Sequence, residues 1–218
     1  MGERLHFEGN DAHYGVIIVG EGTSVNFSEA SFVDNVGSLG IRGVFYVSDG
    51  GRVALSTARF SDNAGSYGSA ITTSMNAILE LDNILFDGHS SQARGALYLS
   101  PNNQTQVTRS SFIGHDSSYG GAVVQNDGIF TGSELLIEDN SSNYGGAFYT
   151  DKSAQVFLEN SALYDNRSSR CGGFYTELAD TVELVDVDFF GNGVDFCGST
   201  NYTWDALVTK TCVGGVCK

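Results

Sequence analysis

The chain has 218 residues, and its 26 acidic and 11 basic side chains give a formal net charge of −15. A surface of this charge repels phosphate backbones, which argues against nucleic-acid binding, and no apolar run reaches the roughly 18 residues of a membrane-spanning helix. Charged residues make up 17% of the chain and aromatic residues 11%, a composition that excludes disorder and favours one domain with one core.

The N-terminal segment Met1–Phe7 has neither the charged region nor the apolar stretch of a signal peptide. We therefore expect either a cytosolic protein or a segment of a longer secreted chain. Four cysteines in the last quarter of the sequence and five N-x-S/T sequons favour the second alternative. The expected localisation is extracellular or at the cell surface, without direct insertion into a membrane.

A Phe-x-x-Asn phrase recurs along nearly the whole chain, with Ile or Leu replacing Phe in two copies. A second phrase, Gly-Gly-Ala followed by an apolar residue, comes after most copies at a constant offset. The copies repeat at steps of 25 to 28 residues, which is a regular internal period. The last position of the phrase is occupied by Asn10, Asn35, Asn63, His89, His115, Asn140, Asn166 and Asn192.

Short alternating apolar runs between Gly, Ser, Asn and Asp turns are typical of strands, and this period fits one coil of a parallel β-helix. Stacked coils must place like residues at like positions, and three apolar columns satisfy this condition. The sequence therefore predicts an all-β parallel β-helix, or solenoid, of about eight coils over residues 1–197. The columns begin at Phe7, Val25 and Phe45 and end at Phe189, Val182 and Phe174.

The polar column beside the Phe column also has a structural interpretation. Stacked side-chain amides can hydrogen-bond from coil to coil and satisfy backbone groups that would otherwise be buried without partners. His89 and His115 occupy this column in adjacent coils, which raises the alternative of a metal or catalytic pair. No third ligand repeats beside them, so we expect a structural role.

These two phrases resemble the paired F-x-x-N and G-G-A-[I/L/V] tetrapeptides of the polymorphic outer-membrane-protein repeats of chlamydial surface proteins. The matching residues include Phe32–Asn35, Phe60–Asn63, Gly120–Val123 and Gly145–Phe148, and the resemblance covers roughly residues 5 to 198. It implies a right-handed, pectin-lyase-like β-helix displayed on a cell surface, where the family serves as autotransported adhesins. We expect this chain to depart from the family pattern, in which a signal peptide and a C-terminal translocator barrel flank the repeats.

The cysteines predict a disulfide-bonded C-terminal end. Cys171 and Cys197 each follow a ladder Asn by five residues, so we expect them at the same position of neighbouring coils, where a disulfide fits. By elimination, Cys212 would pair with Cys217. Reduced thiols in a cytosolic protein are the alternative, and zinc is not expected because no C-x-x-C motif is present. We interpret residues 198–218 as an irregular cap.

Four aspartates precede the ladder position in two adjacent pairs, Asp34 with Asp62 and Asp139 with Asp165. Aspartate is common in turns, but paired carboxylates at coil spacing could also share a calcium ion; no other cofactor is expected. A carbohydrate-active enzyme of the pectin-lyase-like type, a lyase or a hydrolase, would need such aspartates beside Arg or Lys. No basic residue repeats opposite these pairs, so an enzyme is the alternative function.

A column of tyrosines is predicted to face outward from the strand that follows the Gly-Gly-Ala phrase: Tyr46, Tyr98, Tyr149 and Tyr175. Such a face would be flat, aromatic and nearly uncharged, which is typical of interfaces and suits sugars. The alternative is that the rings only stabilise the sheet. Three sequon residues are expected to face solvent and to accept glycans: Asn26, Asn103 and Asn201.

Together these features predict a non-catalytic secreted or cell-surface rod for structural display or adhesion. Its expected partner is a protein or a glycan that docks on the tyrosine face. We interpret the chain as part of a larger protein or assembly.

Overall fold

The structure, a computed structural model, describes residues 4–37, 43–177 and 181–198, together with the backbone of residues 212–213 and 216–217. The side chain of residue 152 is not described. All regular structure in these residues is β-structure, and they contain no helix that could cross a membrane.

The described residues form 25 strands, numbered here in chain order. The first thirteen are β1 (Leu5–Glu8), β2 (Asp11–Ala12), β3 (Ile17–Val19), β4 (Ser24–Ser28), β5 (Ala30–Val33), β6 (Val36–Gly37), β7 (Phe45–Val47), β8 (Arg52–Ser61), β9 (Ala64–Gly65), β10 (Ile71–Thr73), β11 (Ile78–Asp87), β12 (Ser90–Ser91) and β13 (Leu97–Leu99). The others are β14 (Asn103–Thr108), β15 (Ser111–Ile113), β16 (Val123–Ser133), β17 (Leu136–Glu138), β18 (Ser141–Ser142), β19 (Phe148–Tyr164), β20 (Arg167–Ser168), β21 (Phe174–Thr176), β22 (Thr181–Phe190), β23 (Phe196–Gly198), β24 (Cys212–Val213) and β25 (Val216–Cys217).

The chain winds as a parallel β-solenoid of about seven turns, one fewer than predicted. Each turn has three main faces, whose strands pair in parallel with the equivalent strands of the next turn. The two-residue strands β2, β6, β9 and β12, and likewise β18 and β20, form short separate parallel ladders. The first face begins with β1 and β5, the second with β3 and β7, and the third with β4 and the start of β8. Long strands such as β8, β11 and β19 turn a corner and contribute to more than one face. The all-β parallel solenoid predicted from the repeat is confirmed.

The predicted inward columns coincide with the observed register. Phe7 pairs with Phe32 on the first face, and the same column continues to Phe189. The rings of Phe32 and Phe60 stack with centroids 4.6 Å apart. Each fully buried Phe side chain contributes about 2–3 kcal/mol to folding, so this column is a main source of stability. The columns of the second and third faces also match the prediction.

The polar column forms the predicted hydrogen-bonded ladder. Asn140 shows the repeating unit: its backbone N–H and its Nδ2 both donate to Oδ1 of Asn166, at 3.2 and 2.8 Å. Its Nδ2 also donates to the carbonyl of Phe112 in the preceding coil, at 3.0 Å. The same pattern joins Asn10, Asn35 and Asn63. Each amide thereby satisfies backbone groups at a buried corner.

The C-terminal end of the solenoid is closed by the predicted Cys171–Cys197 disulfide, whose Cα atoms lie 5.8 Å apart. The two cysteines are not at equivalent positions, however. Cys197 is the register partner of Tyr175, because the last turn is four residues shorter between its ladder Asn and its second-face strand. The predicted pairing is confirmed, and the predicted equivalence of the two positions is wrong.

The cap region lies largely outside the described residues. In its described backbone, β24 and β25 form an antiparallel pair in which Cys212 is opposite Cys217. The predicted bond between these two cysteines depends on side chains that lie outside the described part of the structure.

Candidate binding face

The predicted tyrosine column lies on the outer side of the second face. Tyr98 is the register partner of Thr72 and Val124, and Tyr149 pairs with Val124 and Tyr175. The adjacent residues in each strand, such as Phe148 and Phe174, are fully buried in the core. Strand alternation therefore directs the tyrosines outward, as predicted. Tyr46 lies in the same column, two coils before Tyr98.

A second layer of side chains covers this column. These residues directly precede the first position of the Gly-Gly-Ala phrase, where the chain comes back onto the second face. A Cβ at Gly145 would overlap the carbonyl of Phe148, so only glycine permits this close approach. The side chains of the second layer are Tyr67, Arg94, Tyr119, Tyr144 and Arg170.

The two layers pack ring against ring. Tyr119 stacks on Tyr144 with centroids 5.1 Å apart and planes at 4°, and both meet Tyr149 edge-on. Tyr149 in turn stacks on Tyr175 at 5.6 Å. Edge-to-face and offset-stacked arrangements at these distances are favourable for aromatic pairs. The rings therefore form a single contiguous cluster rather than isolated surface residues.

Two arginines are part of the same cluster. The guanidinium of Arg94 lies 4.7 Å from the ring centroid of Tyr98 and also faces Tyr67 and Tyr119. Arg170 lies 4.9 Å from the centroid of Tyr144 and faces Tyr175. Such cation–π contacts hold the guanidinium groups against the rings. We call this surface the Tyr–Arg face; it comprises Tyr67, Arg94, Tyr98, Tyr119, Tyr144, Tyr149, Arg170 and Tyr175.

The expectation of a flat and nearly uncharged face is therefore wrong. The outward residues Thr72 and Val124 are fully buried under the second layer, and Tyr149 is only 6% exposed. Burial raises the pKa of Tyr149, and its hydroxyl donates a 2.6 Å hydrogen bond to Glu177 Oε1. Tyr149 consequently lies beneath the second-layer side chains, and those side chains are the ones in contact with solvent.

The arginines of this face differ from the others in the described ranges. Of the seven arginines there, five form ion pairs with carboxylates: Arg4, Arg52, Arg59, Arg109 and Arg167. Arg94 and Arg170 have no carboxylate or hydrogen-bond partner for their guanidinium groups among the described residues. The Nε of Arg94 is buried without an acceptor. In a protein with a net charge of −15, two unpaired guanidinium groups on one face are a distinctive feature.

The aspartate pairs have a backbone explanation. Asp34, Asp62, Asp139 and Asp165 all have a left-handed conformation, with φ between 51° and 56°. Glycine occupies the same corner position in the other coils, at φ between 63° and 72°. Glycine tolerates this conformation best, and aspartate is among the few other residues that adopt it readily. The column therefore reflects a conformational requirement of the corner.

The predicted calcium pairs gain no further ligands from the fold. In residues 4–37, 43–177 and 181–198, no three His, Cys, Asp or Glu side chains converge on a common point. The carboxylate of Asp62 lies over Gly88 of the next coil, and that of Asp165 lies over Gly191. Asp139 forms an exposed ion pair with Arg167 at 3.7 Å. Calcium binding by the four aspartates stays a prediction.

A shallow groove on the outer side of the third face contains two carboxylates, Glu80 and Asp82, as the active site of a carbohydrate-active enzyme would. Asp82 accepts hydrogen bonds from Thr108 and Arg109, and the Thr108 bond holds its pKa below the ordinary value. A general acid would need a raised pKa instead. This carboxylate is therefore arranged as an ion-pair partner rather than as a proton donor.

The candidate glycosylation residues occupy different environments. Asn26 is exposed on the third face, as expected. Asn103 is fully buried, so the expectation that it faces solvent is wrong. Its Oδ1 accepts from the backbone N–H of Ala77, and its Nδ2 donates to Thr73 Oγ1 and to the carbonyl of Ser100. Asn201 lies outside the described residues.

His89 and His115 continue the ladder as structural residues, and no third ligand joins them among the described residues. Their rings stack with centroids 5.0 Å apart, and the Nδ1 of each accepts a backbone N–H of the preceding coil. Burial lowers the pKa of His89 to about 3 and that of His115 well below its ordinary value. Both rings are therefore neutral at physiological pH, with the proton on Nε2.

No protein-family model matches the chain, and no curated protein shows significant similarity to it. The resemblance to the chlamydial repeats therefore stays a prediction.

The second layer of the face, including Arg94, Tyr119 and Tyr144, is not predicted by the sequence. A signal was present, since these residues recur one position before each glycine phrase. What the period did not indicate was the direction of their side chains, because a loop residue has no alternation rule comparable to that of a strand.

Proposed function

We propose that the protein is a non-catalytic rod, secreted or displayed at the cell surface, that binds a protein or glycan partner through the Tyr–Arg face. The observation that carries this proposal is the contiguous cluster of aromatic rings and two unpaired guanidinium groups along one side of the solenoid. Tyr and Arg are the residues most enriched where interfaces derive their binding energy.

The fold supports a display role in physical terms. Each coil packs on its neighbours through continuous apolar columns and a hydrogen-bonded ladder, so the solenoid is a rigid support. A rigid support presents its side chains in fixed positions and reduces the ordering cost of binding. The Cys171–Cys197 disulfide suggests an oxidising environment, which is consistent with secretion.

The test is an adhesion assay with beads that carry the full chain. The beads are offered fixed cells, purified extracellular proteins and immobilised glycans. We expect adhesion that is lost in the variant Tyr98→Ser, Tyr144→Ser and kept in Tyr14→Ser, which changes a 62% exposed tyrosine in the first coil. Circular dichroism and thermal melting show whether each variant is folded.

Two results would overturn this proposal. One is adhesion that the double variant retains at full strength, since the Tyr–Arg face would then not be the binding surface. The other is the release of reducing ends or unsaturated uronates from acidic polysaccharides by the purified chain, which would identify an enzyme.

A further inference from the structure

The two arginines of the Tyr–Arg face lie on one line along the solenoid. Arg94 and Arg170 occupy the same position three coils apart, with Tyr119 and Tyr144 between them in the same column. With coils stacked about 4.8 Å apart, the two positions are separated by about 14 Å along the solenoid. The column thus presents two cationic points joined by aromatic rings.

The arrangement leaves guanidinium hydrogen-bond donors available. Each guanidinium packs against tyrosine rings, at 4.7 Å for Arg94 on Tyr98 and 4.9 Å for Arg170 on Tyr144. Neither guanidinium has an acceptor among the described residues; the Nε of Arg94 is unsatisfied but buried, so a ligand would contact the terminal nitrogens. The planar fork of a guanidinium matches the paired oxygens of a carboxylate or a sulfate, which can accept two parallel hydrogen bonds.

The rings between the arginines add hydroxyl groups. Tyr119 and Tyr144 are partly exposed, and their nearly parallel rings stack on each other. A tyrosine hydroxyl both donates and accepts, which suits the hydroxyls of a sugar. The face therefore combines anion-binding points with neutral polar groups along a single direction.

We propose that the Tyr–Arg face binds an acidic polysaccharide, one whose sugar units carry carboxylate or sulfate groups. The proposal rests on the proposed function and names the ligand class of the same face. A linear polymer with regularly spaced acidic groups matches the linear arrangement of Arg94 and Arg170. Glu177 and Asp151 place negative charge close to Tyr149 at this face, whereas repulsion from charges more than about 8 Å away is screened at physiological salt. Binding of a polyanion therefore depends on direct contacts with Arg94 and Arg170.

The experiment measures binding of the full chain to matched pairs of polysaccharides by calorimetry or biolayer interferometry. Polygalacturonate is compared with its fully methyl-esterified form, and chondroitin sulfate with desulfated, carboxyl-esterified chondroitin. Poly-glutamate serves as the acidic-peptide probe. We expect binding to at least one charged member of a pair, and at least tenfold weaker binding to its neutral form.

The variants test whether the two arginines are responsible. Arg94→Gln and Arg170→Gln should each weaken binding by about tenfold, since each removes one charge-assisted contact. The control Arg52→Gln changes an exposed arginine that pairs with Glu80 on the third face, and should leave affinity unchanged. Arg170 is exposed, so its substitution also tests the proposal if the partly buried Arg94 variant folds poorly.

The inference would be overturned by equal binding of charged and neutral forms, by affinity that both arginine variants retain, or by poly-glutamate binding as tight as that of any polysaccharide. Absence of binding to all probes would overturn it as well. If the tyrosine variants still abolish adhesion in that case, the binding function stands and only the ligand class is wrong.

Discussion

The imidazole of His89 stacks on that of His115, and the backbone N–H of His89 donates a 3.1 Å hydrogen bond to Nδ1 of His115. The two rings thus replace two amides of the asparagine ladder. An asparagine at this position also donates to a carbonyl of the preceding coil, as Asn140 does to Phe112. The histidine rings lack this second contact, and the Nε2 atoms of both are buried without a partner.

The histidine pair predicts a loss of stability in mild acid. The pKa of His89 is about 3 in the folded state and about 6.5 when unfolded, so its contribution is complete above pH 6.5 and declines as the pH falls toward 3. His115 shifts in the same direction because it is buried. Below the unfolded pKa, the protonation of each ring in the unfolded state should lower the free energy of unfolding by up to about 1.4 kcal/mol per pH unit. Urea unfolding at pH 7.5, 6.5 and 5.5 measures this.

The matched variant is His89→Asn, His115→Asn, which restores the amide at both ladder positions. It should unfold with nearly the same free energy across this pH range. A wild-type curve that is already flat, or a variant that keeps the full acid sensitivity, would show that other groups control the response.

The ladder predicts that removing one buried side-chain amide lowers the free energy of unfolding substantially. Asn140→Ala leaves the buried backbone N–H of His115 without its acceptor and removes the side-chain donor to the carbonyl of Phe112. We expect a loss of about 3 kcal/mol in the free energy of unfolding. Asn26→Ala, at an exposed position, should change it by less than about 0.5 kcal/mol. Similar losses in the two variants would contradict the structural role of the ladder.

The corner aspartates predict a dependence on backbone conformation rather than on charge. Asp62→Gly and Asp165→Gly should keep stability within about 0.5 kcal/mol, because glycine adopts the left-handed conformation. Asp62→Val and Asp165→Val should each cost about 1–2 kcal/mol. Melting curves of the glycine variants with and without millimolar calcium complete the test. A calcium-dependent rise in wild-type melting temperature that the glycine variants lose would instead identify a cation site.

The disulfide predicts a stability difference that depends on reductant. Cys171→Ala, Cys197→Ala should lower the free energy of unfolding by about 2–4 kcal/mol, because the bond closes a 26-residue loop. The companion variant Cys212→Ala, Cys217→Ala isolates this bond from the tail cysteines. Reductant should destabilise that companion and leave unchanged a variant in which all four cysteines are replaced by alanine. If reductant left the stability of the Cys212→Ala, Cys217→Ala variant unchanged, the Cys171–Cys197 bond would not contribute to stability.

The sequence by itself determined the solenoid, its core columns and its ladder. Phe32 had to lie over Phe60, and Asn140 over Asn166, because a repeat near 26 residues sets which residues meet and strand alternation sets which side is buried. Both rules depend only on the spacing of residues along the sequence.

Only the tertiary structure decided where the loop side chains point and how the ends depart from the period. Arg94 lies on Tyr98 because its loop folds back over the second face. Asn103 points inward, where its side chain accepts a hydrogen bond from the backbone N–H of Ala77 and donates one to the carbonyl of Ser100. Cys197 lies beside Tyr175 because the last turn is shorter. These outcomes depend on packing between coils, where turn lengths and neighbouring volumes, rather than spacing in the sequence, select the side-chain direction.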